Sequence, residues 1–279
     1  MTQTYNTPTG GFPLSHHFEM LNDTQRVVAI KRAIAALADP KKRFLELGVG
    51  SGVFLEYASH LYADVAGIEQ DSDILKIAQQ TMRRSTSSNW SLVGGDAAAT
   101  NYSDRFDVIL CEMLSTWCAL EPQVQVMNAL RGQGMMDSAT PIPRRVINLI
   151  ELASSPYQHG PVELRTAYHQ FPGIAAPTIM STSEVAYELD FAGDDQLPEV
   201  VTGEVILHPL VVGRVNSVRL SSFVELAPGF GFYSTDTLMP LLIVPIDQDI
   251  DVFRLRPVSF RFTVKHGAGV QELKFQISN

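Results

Sequence analysis

The sequence predicts an α/β protein, a parallel sheet covered by helices followed by an antiparallel β domain. Three observations carry that prediction. Between Arg43 and Leu130, apolar runs of strand length alternate with stretches of helical spacing, the pattern of a parallel sheet with helices on both faces. One run, Phe44-Leu45-Glu46-Leu47-Gly48-Val49-Gly50-Ser51-Gly52, passes from an apolar strand into glycines at every second position. From Arg144 onward the helical spacing disappears, and short β-branched or alternating runs follow one another between Gly, Pro and Asp. The expected division is residues 1–40 as an N-terminal helical segment, 41–143 as the α/β domain and 144–279 as the β domain.

Taken in order, Met1 to Phe12 is polar, and His17 to Asp23 leads into Thr24 to Leu37, where Val27, Ile30, Ile34 and Leu37 recur at helical spacing. That helix stops near Pro40. Arg26 stands in its first turn, where a positive charge opposes the helix dipole unless an anion accepts it. After the glycine strand come a helix from Val53 to about Leu61, a strand from Ala63 closing on Glu69, and a helix over Ser72 to Arg83. Trp90 to Val93 and Phe106 to Cys111 are the next strands. The second of these empties into Glu112-Met113-Leu114-Ser115-Thr116-Trp117-Cys118-Ala119-Leu120-Glu121, before Pro122 opens a helix to about Leu130. Pro141 and Pro143 mark the crossing to the second domain. Its expected strands are Val146 to Leu152, Val185 to Phe191, Val200 to Leu207, Val215 to Val224, Leu241 to Ile246, Phe260 to Val264 and Leu273 to Ile277. Tyr157 to Thr178 reads as neither helix nor strand and is expected to be an extension or arm.

Composition narrows the classes of partner. With 21 Lys plus Arg against 30 Asp plus Glu, the net charge is −9, which disfavours a nucleic-acid partner and favours a basic one. Cys111 and Cys118 are too few for a disulfide framework and lack the histidine partners of a zinc site, so no metal is expected and a reducing cytoplasm suits them. No apolar run approaches the ~20 residues that span a bilayer.

The glycine strand lets the backbone turn tightly and approach a ligand at the N-terminus of the next helix. Its spacing is G-x-G-x-G rather than the G-x-G-x-x-G of dinucleotide folds. Glu46, two residues before the first glycine, would repel a pyrophosphate and attract a cationic or zwitterionic cofactor. Glu69 lies about 20 residues beyond the glycines, where an acid in this fold reaches ribose hydroxyls. Asp96 follows the third strand, on the same edge, and reads equally as an acceptor for an adenine amino group or as a turn acid. Glu112 and Glu121 bracket a loop at that edge. Glu121 also reads as a helix-end acid, whereas Glu112 terminates a buried strand.

These elements together resemble the protein arginine methyltransferase family, of which the chain looks like a divergent member. The resemblance rests on H-x-E-M-L-x-D at His17 to Asp23 with Arg26, on Glu46 to Gly52, on Glu69, and on glutamates spaced by nine residues, 121 − 112 = 9. It implies a Rossmann-like S-adenosylmethionine-binding domain followed by an antiparallel β-barrel domain that helps bind the substrate. It further implies that Arg26 pairs with the cofactor's methionine carboxylate, that Gly48 and Gly50 pass the cofactor and that Glu69 takes the ribose. His17, Met20 and Glu46 fall to the cofactor as well. Glu112 and Glu121 would hold the substrate guanidinium, and the arm at 157–178 would serve a homodimer.

The chain departs from the family in three places. Met113-Leu114-Ser115-Thr116 stands where the family has Trp, Gly and an aromatic residue, and Thr237-Leu238-Met239-Pro240 stands where it has a Thr-His-Trp loop. The adenine-contacting acid of the family falls near Ala97 or Ala98, which leaves Asp96 or the Ala97 backbone for that contact. The expected activity is methyl transfer from S-adenosylmethionine to a guanidino nitrogen of a protein or metabolite. The alternative is a small-molecule N- or O-methyltransferase without guanidinium recognition.

Overall fold

The computed structural model describes residues 12–171 and 173–277; residues 1–11 of the expected N-terminal segment and Pro172 of the expected arm lie outside them. Two helices open the chain, α1 (Leu14–Asn22) and α2 (Thr24–Ala36). Asp23 separates them and accepts a hydrogen bond from Arg26 N at 3.2 Å as the N-cap of α2, so the H-x-E-M-L-x-D stretch ends in a break rather than running on as one helix.

The parallel sheet is built from β1 (Arg43–Leu47), β2 (Asp64–Glu69), β3 (Trp90–Gly94), β4 (Val108–Cys111) and β5 (Thr140–Ile142) in the order β3-β2-β1-β4-β5. Helices α3 (Val53–Ser59), α4 (Ser72–Arg84) and α5 (Gln123–Gly132) connect the strands. β1 pairs with β2 on one side and β4 on the other. The strand order therefore reverses at β1, and the crevice beyond the carboxyl ends of β1, β2 and β4 is where such sheets take ligands. Those ends carry Gly48, Glu69 and Glu112. β5 is a strand the sequence analysis did not anticipate, having read Pro141 only as part of the crossing between domains. As an edge strand it pairs only with β4, where a proline's missing N–H costs no second ladder.

The second domain comprises β6 (Arg145–Ser154), β7 (Gln158–His159), β8 (Val162–Glu163), β9 (Tyr168–Gln170), β10 (Thr178–Ile179), β11 (Glu184–Asp190) and β12 (Val200–Leu207). The chain continues through β13 (Gly213–Ala227), β14 (Phe230–Tyr233), β15 (Leu241–Val252), β16 (Val258–Lys265) and β17 (Lys274–Ile277). β15 runs past the expected end at Ile246, and its ladder with β13 shifts register between Val215 and Ser217, opposite Pro245; the irregularity accommodates the proline. Instead of one closed barrel, the ladders among the described residues form a seven-stranded sheet and a three-stranded sheet, β12-β16-β17. The ladder stops between β11, which pairs with β6, and β12, which pairs with β16. The stretch expected as an arm is tied down in its middle and at its far end, since β9 pairs with β15 and β10 with β6. Ahead of β9, β7 and β8 form a small hairpin.

One buried cluster joins the two domains. Ile30, Ile34, Phe44, Leu47, Ile109 and Met127 share it with Val146, Phe191 and Val224 of the second. A second cluster fills the β domain around Ile150, Leu220, Phe260 and Phe262, and Trp117 of the glutamate loop belongs to it.

Candidate active site

The glycine turn leaves β1 in a conformation that only glycine adopts cheaply. Gly48, Gly50 and Gly52 have φ of 70°, 58° and 85°, in the left-handed region where a side chain costs roughly 1–2 kcal/mol. A Cβ on Gly48 would stand 2.8 Å from Met113 Cε, and one on Gly50 3.5 Å from His17 Nδ1. The turn is thus flanked by α1 on one side and by the glutamate loop on the other. Burial lowers the pKa of His17, and the nearby Glu69 and Asp71 oppose that shift.

Glu69 is oriented by backbone donors. One carboxylate oxygen accepts from Gly50 N at 2.8 Å and the other from Asp71 N at 2.9 Å. Each oxygen keeps a second lone pair, so the group is held in place while still able to accept from a ligand's hydroxyls. Glu46 lies beneath the turn at 2% exposure, and its Oε2 has no hydrogen-bond partner. Burial, then the neighbouring Glu69 and Glu112, raises its pKa well above the ordinary carboxylate range.

Arg26 and Glu112, expected to face cofactor and acceptor separately, hold each other. The Arg26 guanidinium is ion-paired with both Glu112 carboxylate oxygens through Nη2, and Nη1 donates to Met20 Sδ at 3.2 Å. The charge that mismatched the start of α2 thus finds its anion in Glu112. Burial raises the Glu112 pKa, with Arg26 opposing the shift. Among the described residues Glu121 has no such partner. Burial, then the adjacent Glu112, pushes its pKa up to about 8.

The loop between the two glutamates turns sharply at Trp117 and Cys118, with φ of 62° and 49°, a conformation costing of order 1–3 kcal/mol per residue and kept only where the surroundings over-determine it. Within the loop, Ser115 Oγ accepts from Leu120 N at 2.9 Å and Glu121 N at 3.2 Å. Behind it, Gln123 Oε1 accepts from Met113 N at 2.9 Å. The second domain supplies the remaining anchors. Trp117 N donates to Ser222 Oγ at 3.0 Å, and its indole N–H to the carbonyls of Leu149 and Ser221 at 2.9 and 3.1 Å. Thr116 Oγ1 donates to Pro240 O at 2.6 Å.

The loop that lacks histidine has its own link to the first domain, since Leu238 N donates to Asp23 Oδ2 at 2.7 Å. Asp23 therefore caps α2 and ties it to the second domain at once, a role the sequence analysis gave no sign of. Ser115 and Gln123 were missed as well. Only a polar residue in an otherwise apolar loop, and an acid beside a helix start, could have hinted at them.

Asp96 is placed apart from these groups. Its Oδ1 accepts from Ala98 N at 2.8 Å within its own turn, which is the turn-acid reading. Ala97 is buried, and its carbonyl accepts from Tyr102 O–H at 3.0 Å. Cys111 and Cys118 are free and buried, and burial raises both thiol pKa values, so neither supplies a thiolate. Among the described residues no cluster of His, Cys, Asp and Glu is arranged to hold a metal, and no helix is long and apolar enough to cross a membrane.

Comparison with known proteins agrees with this layout. Residues 44–132 match the family model of a methyltransferase domain. Two uncharacterized archaeal proteins match nearly end to end. One, from Methanocaldococcus jannaschii, is 23% identical and covers 94% of this chain and 96% of its own; the other, from Methanothermobacter thermautotrophicus, is 29% identical and covers 94% and 97%. Among solved structures, the Trypanosoma brucei PRMT1 enzyme-prozyme heterotetrameric complex with AdoHcy superposes with a TM-score of 0.80 at 12% identity, covering 95% of this chain and 97% of that one. Arabidopsis thaliana protein arginine methyltransferase 10 gives 0.76 at 13% identity, covering 90% and 87%. The two-domain fold is that of the protein arginine methyltransferases, and residues 44–132 match a methyltransferase domain. The residues present fit S-adenosylmethionine as a donor: glycines in a left-handed turn where a side chain is strained, an oriented acid at the end of β2, and at Glu46 a buried carboxyl whose Oε2 has no hydrogen-bond partner among the described residues.

Proposed function

We propose that this S-adenosylmethionine-dependent methyltransferase transfers its methyl group to a guanidino nitrogen, with Glu112 and Glu121 as the acceptor-binding carboxylates. The observation that carries the reading is the pair itself: two part-buried glutamates joined by a hydrogen-bonded loop, with no cation paired to Glu121 among the described residues. A guanidinium stays protonated in proteins and offers a planar fork of N–H donors. Two carboxylates orient such a fork and localise a lone pair on the nitrogen between them.

They also oppose the repulsion between two cations. A sulfonium and a guanidinium ~4 Å apart repel by roughly 4 kcal/mol at an effective dielectric near 20. The cofactor supplies an electrophilic methyl carbon; binding, orientation and proton acceptance fall to the protein. Arg26 and Met20 are assigned to the methionine end, Glu69 to the ribose, and the backbone at Ala97 to the adenine. Glu121, whose pKa is raised to about 8 in the free protein, becomes a carboxylate beside a guanidinium, where the opposite charge favours the ionised form, and as that carboxylate is assigned the proton displaced from the methylated nitrogen. A homodimer contact at the hairpin of β7 and β8 belongs to the same proposal, and light scattering that shows a monomer at high micromolar concentration removes it.

The second reading, a small-molecule methyltransferase without guanidinium recognition, is favoured by the histidine-free loop at 237–240. Glu121→Gln separates the two. The guanidino reading expects turnover with an arginine-rich peptide or free arginine to fall by about 10²-fold, the loss typical of removing a charge stabiliser at the reacting centre, while calorimetry with S-adenosylhomocysteine stays within about twofold. Turnover unaltered by Glu121→Gln rules out the pair as a clamp. Glu112→Gln is the less clean variant, because it strips Arg26 of its anion and so reaches the cofactor side as well.

A further inference from the structure

The Trp117–Cys118 turn is gripped from behind by residues that touch neither expected ligand. Tyr187, on β11, donates its hydroxyl to Trp117 O at 2.9 Å. His266 follows β16 and is 1% exposed, with Nε2 3.2 Å from the same hydroxyl and Nδ1 2.8 Å from Pro198 O. A carbonyl only accepts, so Nδ1 carries the hydrogen. Nε2 of the neutral ring then offers a lone pair, for which lowering of the His266 pKa by burial speaks as well. Tyr187 has one hydrogen and two acceptors, and the nearer one is the loop carbonyl.

The residues after His266 complete the grip. Gly267 N donates to Cys118 O at 3.0 Å and Gly269 N to Ala119 O at 2.9 Å, while Gln125 Nε2 on α5 binds His266 O at 2.7 Å. Every carbonyl from Trp117 to Ala119 is thereby held by a donor from the second domain. The Trp117 ring is packed edge-on against Tyr187 and Phe262, with centroids 5.2 and 5.6 Å away.

We propose that Tyr187 and His266 are positioning residues for the acceptor, fixing the left-handed turn through which the loop carries Glu121 back toward Glu112. A left-handed Trp117 has neighbouring backbone conformations of lower energy open to it. Removing the hydroxyl that holds its carbonyl lets the turn relax and spoils the relation of the two carboxylates, without touching the glycine turn or Glu69. This role rests on the guanidino reading above, and the experiment keeps the two apart.

Wild type and Tyr187→Phe are compared for methyl transfer to an arginine-rich peptide and to free arginine, for S-adenosylhomocysteine affinity, and for hydrogen exchange in a peptide covering 112–121. The expected result is a kcat about tenfold lower, affinity for S-adenosylhomocysteine within twofold, and exchange accelerated about tenfold in the loop but not in β1 or β2. A purely structural role predicts lowered stability with kcat unchanged in the folded fraction. Should Tyr187→Phe fail to fold, His266→Gln, which retains an amide donor near Pro198, undergoes the same comparison with a smaller expected loss. Transfer by the wild type with equal kcat in the variant, or unchanged loop exchange, overturns the positioning role alone. A wild type that transfers to neither acceptor overturns the guanidino reading and this role with it.

Discussion

The two halves of the site are built in different ways. On the cofactor half, Gly48 to Gly52, Glu69 and Asp71 lie within 24 residues, 71 − 48 + 1 = 24, and the key carboxylate is oriented by backbone N–H groups of that same stretch. On the acceptor half, the loop from Glu112 to Glu121 is fixed by Leu149, Ser222, Pro240, Gly267 and Gly269, all from the other domain. A short local device builds the half proposed for the donor, and long-range packing shapes the half proposed for the acceptor. Met113 to Thr116 and Thr237 to Pro240, two stretches that depart from the family pattern, both belong to the half fixed by long-range packing.

The contrast is broken or sharpened by three measurements. Glu69→Ala carries the largest expected effect on the cofactor half. It removes charge-assisted hydrogen bonds worth about 1.5–3 kcal/mol to a ligand, so affinity for S-adenosylhomocysteine is expected to drop about ten- to a hundredfold by calorimetry. A change below threefold would show that the donor half does not rely on its oriented acid.

The acceptor half is expected to reveal itself through pH. The folded pKa of Glu121, about 8, lies above the ordinary 4.5, so its contribution to stability is full below about pH 4.5 and is lost as pH rises through about 8. Each pH unit inside that window costs at most about 1.4 kcal/mol. Glu121→Gln is neutral throughout, and its melting temperature should match that of wild type near pH 4.5 and exceed it increasingly toward pH 8. Parallel melting curves across that range would mean that the Glu121 carboxyl is not held above its ordinary pKa by its surroundings.

The smallest effect is expected at Asp96. Asparagine keeps the side-chain oxygen that accepts from Ala98 N, so Asp96→Asn should shift stability by less than about 0.5 kcal/mol and cofactor affinity by less than threefold. A tenfold loss would move Asp96 from turn former to cofactor ligand.

What the sequence disclosed follows the same division. The strand running into alternate glycines, the acid at the end of β2 and the helical spacing of α2 are local signals, and each landed where expected. The positive charge at Arg26 was correctly marked as needing an anion, yet its partner, Glu112, is 86 residues away and no spacing rule connects them. Trp117 read as one residue of an irregular loop, whereas it is the plug of the second domain's core. β5 was hidden because Pro141 read only as part of the crossing between domains, and a proline fits a strand only where that strand lies at an edge. The break between β11 and β12 was equally illegible, since alternation identifies strands but does not say whether their ladders close.

The segment 44–132 that matches the methyltransferase model is therefore not a portable module. A fragment ending after α5 would leave the indole of Trp117 without the aromatic rings that enclose it, and the carbonyls of Cys118 and Ala119 without Gly267 and Gly269. The left-handed turn would lose what holds it, and Glu121 would lose its fixed place. Chimeras that graft this front half onto a foreign β domain keep the donors that orient Glu69, but they must also import residues 266–269, or their equivalent, to hold the loop that carries Glu121.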